Sequence, residues 1–143
     1  MKEYSCGFIF DISGNRVLLI KKKPNSPTPN LWNGIGGRLE VDETIETCMV
    51  RETKEELGID ISEENWHKFA ILTGQNIQCD WKVHFFRTFS NKITEAKQME
   101  NEEISIFQVK LLPDVVPNVN WLISMALNID SDSADSFIVQ ERY

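Results

Sequence analysis

The sequence predicts an α/β (α+β) fold in which a mixed β-sheet lies between helices packed on both of its sides. Three observations support this prediction: an N-terminal strand-turn-strand pattern, a glutamate-rich helix that a glycine closes, and two alternating strand patterns followed by a second, apolar helix. The chain has 143 residues, of which 41% are hydrophobic. We therefore expect one domain spanning residues 1–143, large enough to bury a core without disulfides.

The first half of the chain predicts a hairpin, a loop and a helix, in that order. Residues 5–11 and 17–22 have the composition of strands, and the segment between them contains a Gly-Asn pair typical of a tight turn. Residues 24–30 are rich in proline and asparagine, which predicts a loop. The following helix should end at Leu57, because Gly58 can take the left-handed conformation that stops a helix.

The second half predicts further strands and one more helix. Pro117–Asn128 places apolar residues at helical spacing, with Asn118 as its candidate N-cap. Alternating apolar and polar residues predict strands at 66–75 and 81–90, and shorter strands are expected at 104–109 and 136–143.

Three glutamates dominate one face of the first helix. Glu52, Glu55 and Glu56 fall within an arc of about 100°, so their carboxylates should converge on one small volume. Like charges at this spacing destabilise an isolated helix by roughly 0.2–0.5 kcal/mol per pair, and a divalent cation would relieve the repulsion. Oxygen-rich clusters suit Mg²⁺ or Mn²⁺. A solvated acidic face is the alternative, but Ile45 and Cys48 extend the same face toward an apolar seam.

The spacing around these glutamates resembles the signature of the Nudix family, G-x5-E-x7-R-E-U-x-E-E-x-G-U, in which U is a bulky aliphatic residue. One position departs from it, because Thr53 occupies the first U position; threonine is β-branched and can still pack there. The matching residues are Gly37, Glu43, Arg51, Glu52, Glu55, Glu56, Gly58 and Ile59.

This resemblance implies a hydrolase that uses Mg²⁺ (or Mn²⁺) to cleave a nucleoside diphosphate linked to another group. It implies that Glu52 and Glu56 are the main metal ligands, with Glu55 close by and the Gly36 carbonyl as a further ligand. In the same family pattern, Arg51 and Glu43 form an ion pair that fixes the glycine turn against the helix. Which glutamate acts as the general base stays open.

A second acidic cluster lies in the C-terminal half. Glu100, Glu102 and Glu103 can supply the general base or a further metal ligand, and Glu102 is our candidate ligand. An ordinary solvated loop explains such a charge run equally well.

Several residues outside the signature are candidates for binding the substrate. The segment from Leu31 to Gly37 resembles the MutT-like branch of the family, which hydrolyses oxidised purine nucleotides such as 8-oxo-dGTP and in which the asparagine reads the base. The predicted base-contacting residues are Asn33 and Asn118, with Trp121 as a candidate for stacking or for the core. The triplet Lys21-Lys22-Lys23 and Arg38 can place positive charge near a triphosphate, and Lys23 and Arg38 are the predicted phosphate-binding residues. A lysine triplet at the end of a strand can equally well serve to block the sheet edge.

The sequence thus predicts a Mg²⁺-dependent nucleoside triphosphate pyrophosphohydrolase that releases nucleoside monophosphate and pyrophosphate, with an oxidised purine dNTP such as 8-oxo-dGTP as its leading substrate. Two alternatives stay open. The first is hydrolysis of a nucleoside diphosphate linked to another group X, as in an ADP-sugar, a dinucleotide polyphosphate or an RNA cap. A nucleotide sensor without catalysis is the second, although such domains commonly lose signature glutamates that this chain keeps.

Composition narrows the partners and the compartment. A net charge of −7 argues against binding duplex nucleic acid, which relies on clustered Lys and Arg. Three widely spaced cysteines without a metal-ligand pattern predict reduced thiols. No apolar run is long enough to cross a bilayer, and no signal peptide is recognisable. We expect a cytoplasmic protein, monomer or homodimer, that acts on a small nucleotide.

Overall fold

A computed structural model describes residues 1–75, 77, 79–129 and 137–142, the last range as backbone only. Two short 3₁₀ helices, Glu63–Asn65 and Asn91–Glu95, accompany the main elements. The strands described are β1 (Lys2–Phe10), β2 (Arg16–Lys21), β3 (Trp32–Asn33), β4 (His67–Gln75), β5 (Asp80–Phe89), β6 (Ile104–Gln108) and β7 (Phe137–Arg142), and the α-helices are α1 (Ile45–Leu57) and α2 (Val119–Asn128).

The strands form one mixed sheet. Its order is β3-β2-β1-β5-β4-β7, and β6 adds to β2. The β1-β5 and β4-β7 pairs are parallel, whereas β1-β2, β2-β3, β2-β6 and β4-β5 are antiparallel. This arrangement confirms the predicted mixed sheet.

The two α-helices cover opposite faces of the sheet. Phe8 and Phe10 of β1 belong to the core cluster that contains α2, whereas Ile9 between them belongs to the cluster that contains Met49 and Leu57 of α1. Because successive side chains of a strand point to opposite faces, the alternation of buried residues along β1 requires two covering layers. The predicted placement of helices on both sides is therefore confirmed.

Most element boundaries differ little from the predicted ones. β1 begins earlier than expected, because its first residues pair with β5 in one unbroken register from Lys2–Trp81 to Phe10–Phe89. Asn118 is the N-cap residue of α2, but its side chain makes no capping hydrogen bond. The C-terminal strand is present at 137–142, while positions 136 and 143 of that prediction lie outside the described residues.

The strand β3 pairs with the end of β2, and the glycine turn that follows β3 reaches across to β1. Asn33 pairs with Ile20 of β2, and Ile35 then forms a bridge with Gly7 of β1. The N–H of Gly7 donates to the Ile35 carbonyl at 2.6 Å, and the reverse bond measures 3.0 Å. At Gly36, φ is +151°, and a side chain there would overlap the Ser5 carbonyl. The turn is thereby fixed to the sheet beneath α1.

Among the described residues, no helix combines the length and the apolar character needed to span a membrane.

Candidate active site

The three signature glutamates occupy different environments on α1. Glu56 is 5% exposed, Glu52 is half-buried and Glu55 is exposed. The backbone N–H of Gly36 donates to Glu56 Oε2 at 3.3 Å, so the glycine turn contacts this carboxylate directly. Any side chain at Gly37 would overlap the Glu52 carboxylate. The turn and the helix therefore pack closely, and a larger residue at Gly37 would displace the Glu52 carboxylate.

Arg51 connects the glycine turn to the helix carboxylates. Its Nε donates to Glu43 Oε2 at 3.0 Å, and its Nη1 donates to Glu52 Oε1 at 2.9 Å and to Glu55 Oε2 at 3.1 Å. Its Nη2 donates to the Arg38 carbonyl at 3.1 Å. The hydrogen bond from Arg51 holds the pKa of Glu43 below its usual range. One guanidinium thus organises both sides of the site.

Burial and nearby negative charges raise the pKa values of the two α1 carboxylates Glu52 and Glu56. Burial, together with the negative charge of the nearby Glu52, raises the pKa of Glu56 to about 8, although Lys22 and the Gly36 N–H act in the opposite direction. Burial also raises the pKa of Glu52. Two carboxylates are therefore held together in a partly desolvated space, which is the environment that a bound cation would stabilise.

These donors fit a hard divalent cation, although the side chains do not yet form its coordination shell. No group of three or more His, Cys, Asp or Glu side chains in the described part of the chain is arranged to hold a metal ion as it stands. Arg51 pairs with one oxygen of Glu52 and one oxygen of Glu55. The carboxylate oxygens are the ligand type that Mg²⁺ and Mn²⁺ prefer.

In the second acidic cluster, Glu100 acts on the helix carboxylates. Its negative charge contributes to the raised pKa of both Glu52 and Glu56. The preceding residue fixes its position, because the N–H of Met99 donates to the Glu56 carbonyl at 3.3 Å. Glu102, the ligand predicted from the sequence, is half-buried, and Glu103 is exposed. Nothing in the spacing of Glu100, Glu102 and Glu103 indicated which of them acts on the α1 carboxylates.

Lys22 is a cation of the site that the sequence analysis did not select. It lines the same cavity as Gly36 and Gly37, and its charge lowers the pKa of Glu56. Lys23, the predicted phosphate-binding residue, is exposed in the loop that follows β2. The alternation of β2 contained the signal, because continuing it from Ile20 places Lys22 on the α1 face of the sheet.

A cavity of about 200 Å³ lies beside the glycine turn that contacts Glu52 and Glu56. Asn33 is the predicted substrate-binding residue that lines it. The Arg38 side chain is exposed, Asn118 is half-buried at the start of α2, and Trp121 is 37% exposed on α2. The lining residues are Tyr4, Ser5, Cys6, Lys22, Asn33, Gly34, Gly36, Gly37 and Val83.

The fold and the acidic helix together indicate a family of hydrolases. The family model described as "NUDIX domain" matches residues 4–123. The chain belongs to the Nudix family, whose enzymes act on phosphoric anhydrides.

The chain spans only part of the length of the curated relatives that it matches. The chain is 30% identical over 109 residues to the NAD-capped RNA hydrolase NudC of Vibrio atlanticus, covering 76% of this chain and 39% of that protein. It is also 30% identical over 90 residues to the dihydroneopterin triphosphate diphosphatase of Haemophilus influenzae, covering 63% and 54%. A shorter match of 45 residues, 40% identical, covers 32% of this chain and 33% of the CTP pyrophosphohydrolase of Escherichia coli.

Solved structures share the fold. The MutT NUDIX hydrolase from Burkholderia pseudomallei has a TM-score of 0.73 at 20% identity, covering 87% of this chain and 96% of that chain. The MutT protein from Bacillus halodurans has a TM-score of 0.71 at 17% identity, covering 100% and 90%.

Proposed function

We propose that the protein is a Mg²⁺-dependent nucleoside triphosphate pyrophosphohydrolase that releases nucleoside monophosphate and pyrophosphate. An oxidised purine dNTP such as 8-oxo-dGTP is the leading substrate. The observation that carries this proposal is the position of Glu52 and Glu56, whose carboxylates contact the glycine turn. Gly36 and Gly37 of this turn line a cavity together with Lys22 and Asn33. A divalent cation held by the carboxylates, together with a lysine at this cavity, would suit the charge of a polyphosphate.

Each part of the site has a role in this proposal. Glu52, Glu55 and Glu56 hold the metal, with the Gly36 carbonyl as a further ligand. The bound ion would offset phosphate charge and activate water. Arg51 keeps the glycine turn in register with α1 through its bonds to Glu43 and to the Arg38 carbonyl. The general base is Glu55, or a glutamate of the second acidic cluster, such as Glu100 or Glu102.

The substrate would extend from the metal toward the cavity. Lys22 is placed to attract phosphate oxygens, and the exposed Lys23 and Arg38 add positive charge at longer range. Asn33 is placed to read the nucleobase, with Asn118 and Trp121 of α2 as further base-binding residues. A cavity of about 200 Å³ is smaller than the roughly 300 Å³ at the low end of ligand pockets, so it would hold only part of a nucleotide, such as the base.

The relatives' names support a triphosphate and also define the alternative. One relative is named a dihydroneopterin triphosphate diphosphatase and another a CTP pyrophosphohydrolase, so triphosphate substrates occur among the proteins that this chain resembles. The relative named an NAD-capped RNA hydrolase matches more of this chain. A capped RNA or an NAD-like dinucleotide is therefore the second candidate.

We further propose that the protein acts in the cytoplasm, on small nucleotides and not on duplex nucleic acid, as a monomer or homodimer. The free thiols of Cys6 and Cys48, both buried, support a reducing compartment. The net charge of −7 disfavours binding to duplex nucleic acid.

The test is an assay of pyrophosphate or phosphate-ester products with Mg²⁺ and a panel of substrates. The panel holds 8-oxo-dGTP, dGTP, the other dNTPs, ADP-ribose, Ap4A and NAD. We expect pyrophosphate release from triphosphates, with the highest kcat/KM for the oxidised purine. Activity on ADP-ribose, Ap4A or NAD alone would contradict the assignment of a triphosphate substrate, although metal-dependent hydrolysis at this site would still be supported.

Glu56→Gln is the control that separates an enzyme from a sensor. The amide keeps the shape of the side chain and removes a metal-binding charge. We expect turnover to fall by at least about 10²-fold while the circular dichroism spectrum is retained. A wild-type protein that binds nucleotides tightly and turns over none of the panel would instead support the sensor alternative.

A further inference from the structure

A second cavity, the lysine cavity, lies at the C-terminal end of α1. Its volume is about 670 Å³, and it shares no lining residue with the cavity beside the glycine turn. This volume lies within the range of roughly 300–1,000 Å³ that is typical of small-molecule sites. Lysines outnumber carboxylates in its lining, although the chain as a whole has a net charge of −7. The polar side chains that line it are Lys54, Asp60, Lys92, Thr94, Glu95 and Lys97.

Two of the three ammonium groups converge on one residue. Lys54 Nζ donates to Asp60 Oδ2 at 3.1 Å, and Lys92 Nζ donates to the backbone carbonyl of Asp60. An ammonium group carries three N–H donors, so each lysine keeps donors for a ligand. Both side chains of the Lys54–Asp60 pair are exposed, and such a pair contributes little to stability. An anion can therefore share or replace Asp60 at small cost.

Lys97 supplies the third ammonium group from a fixed backbone. Its N–H donates to the Leu57 carbonyl at 2.9 Å, which holds the residue against the last turn of α1. The side chain is exposed, and within the described part of the chain it has no ion-pair partner. Its charge is therefore available at the lysine cavity.

The end of α1 does not oppose an anion there. Unpaired carbonyls at a helix C-terminus carry partial negative charge. Here the Lys54 carbonyl accepts from the N–H of Gly58 at 3.0 Å. The Glu56 carbonyl accepts from the N–H of Met99 at 3.3 Å, and the Leu57 carbonyl is bonded as described above. These backbone donors occupy the carbonyls and leave the lysine side chains to set the local charge.

We propose that the lysine cavity binds an oligophosphate anion, either free pyrophosphate or the phosphate chain of a nucleotide. An oligophosphate offers several charged oxygens, so it can pair with all three ammonium groups at once, whereas a single carboxylate cannot. This binding goes beyond the proposed function and does not depend on it.

Occupancy of the lysine cavity should also reach the candidate active site. Lys97 and Met99 line the cavity and lead directly to Glu100, whose charge acts on the carboxylates of Glu52 and Glu56. A ligand that pairs with lysines of α1 and of this segment bridges the two, and so it fixes where Glu100 lies.

The first test is calorimetric titration of the full chain with pyrophosphate, in metal-free buffer at constant ionic strength. We expect saturable binding that Lys92→Gln and Lys97→Gln each weaken by about three- to fivefold. Lys110→Gln is the matched control, because Lys110 is also exposed and lines a different cavity. It removes the same charge and should leave the affinity unchanged. Absence of saturable binding, or equal weakening by the control, would overturn the proposal and leave the lysines as ordinary surface charge.

Backbone amide NMR of the wild-type protein locates the anion without relying on any variant. We expect pyrophosphate to shift the signals of Gly58, Lys97 and Glu100. Shifts confined to Gly36 and Gly37 would place the anion at the glycine turn and overturn the proposal. Shifts at the lysine cavity that leave Glu100 unchanged would support the binding site and overturn its link to the active site.

The same spectra distinguish the two sources of the phosphate groups. A nucleoside triphosphate that shifts the signals of the lysine cavity at lower concentration than pyrophosphate would identify a nucleotide as the ligand. The opposite order would identify free pyrophosphate. Citrate at the same ionic strength is the control for general anion binding, and an equal response to citrate would overturn the assignment to phosphate.

Discussion

Glu56 combines burial with a carboxylate neighbour, and this combination makes stability depend on pH. Its pKa is raised from 4.5 to about 8 in the folded protein. The folded state therefore holds a proton that the unfolded state releases at lower pH. The resulting stabilisation is present below the unfolded pKa and is lost as pH rises through the folded value.

We predict that Glu56→Gln increasingly stabilises the metal-free protein, relative to wild type, as pH rises from about 5 to about 8.5. Glutamine carries no charge at either pH, whereas the wild-type carboxylate becomes charged in a desolvated site. Urea denaturation with a chelator present measures the difference in the free energy of unfolding. A difference that stays constant over this range would show that Glu56 does not titrate there.

Glu100 and Glu102 form a matched pair for testing the second acidic cluster. The charge of Glu100 acts on Glu52 and Glu56, so removing it should change metal binding. We predict that Glu100→Gln weakens Mg²⁺ activation of turnover by about tenfold or more, and that Glu102→Gln has a smaller effect. The measurement is the Mg²⁺ concentration for half-maximal activity. The reverse ranking would restore Glu102 as the important member.

At the scale of residues, the sequence was sufficient to predict the features that follow from helix periodicity. Glu52 and Glu56 share a face of α1, and their predicted proximity to an apolar seam agrees with the burial of Glu56. The position of Glu100 depends on how its loop returns to α1, and neither its spacing nor its residue type indicated that. The position of Lys22 follows from the alternation of β2, which places it on the α1 face of the sheet. The side-chain amide orientation of Asn33, in contrast, requires the position of Cys6, 27 residues earlier in the chain.

At the scale of elements, α1 contains its own boundary signals. Thr44 caps its first turn by accepting a hydrogen bond from Thr47 N, and Gly58 ends it in the left-handed conformation at φ +70°. The stop at Gly58 was predictable because left-handed backbone favours glycine. The two-residue strand β3 was not, because its pairing depends on the separation of β1 from β2 near Gly7 and Ile35.

We predict that Gly58→Ala lowers the free energy of unfolding by about 1–2 kcal/mol, because a Cβ is disfavoured at positive φ. The new methyl group would also meet the Met99 side chain at 3.1 Å, next to the segment that positions Glu100. Gly58→Asn is the control, since asparagine tolerates this conformation better and should cost less. Chemical denaturation measures both variants. Equal costs would assign the loss to contact with Met99 and not to backbone conformation.

At the scale of the whole molecule, the two faces of the sheet have different roles. Its α2 face buries a large aromatic core that includes Phe8, Phe69 and Phe85, while its α1 face supports the acidic helix. The glycine turn contacts the α1 carboxylates on one side and lines the cavity on the other. The helices on both faces were predictable from apolar periodicity, whereas the cavity arises from long-range strand pairing that no local pattern specifies.

The chain has a net charge of −7, and Glu52 and Glu56 lie close enough for each charge to act on the other, so a divalent cation bound there should stabilise the folded state. A ligand that binds only the folded state stabilises it by about 2.7 kcal/mol at one hundred times its Kd. We predict that Mg²⁺ raises the Tm of the wild-type protein in a saturable manner, and that it raises the Tm of Glu56→Gln much less.

Differential scanning calorimetry with Mg²⁺, and with NaCl at matched ionic strength, separates specific binding from screening. Screening of surface charge would raise the Tm of both proteins similarly with either salt, because it depends on ionic strength and not on Glu56. Binding at α1 would require the divalent ion and the Glu56 carboxylate together, because both the charge of the ion and a charged ligand are needed. An equal response to both salts would therefore contradict a metal site formed by these glutamates.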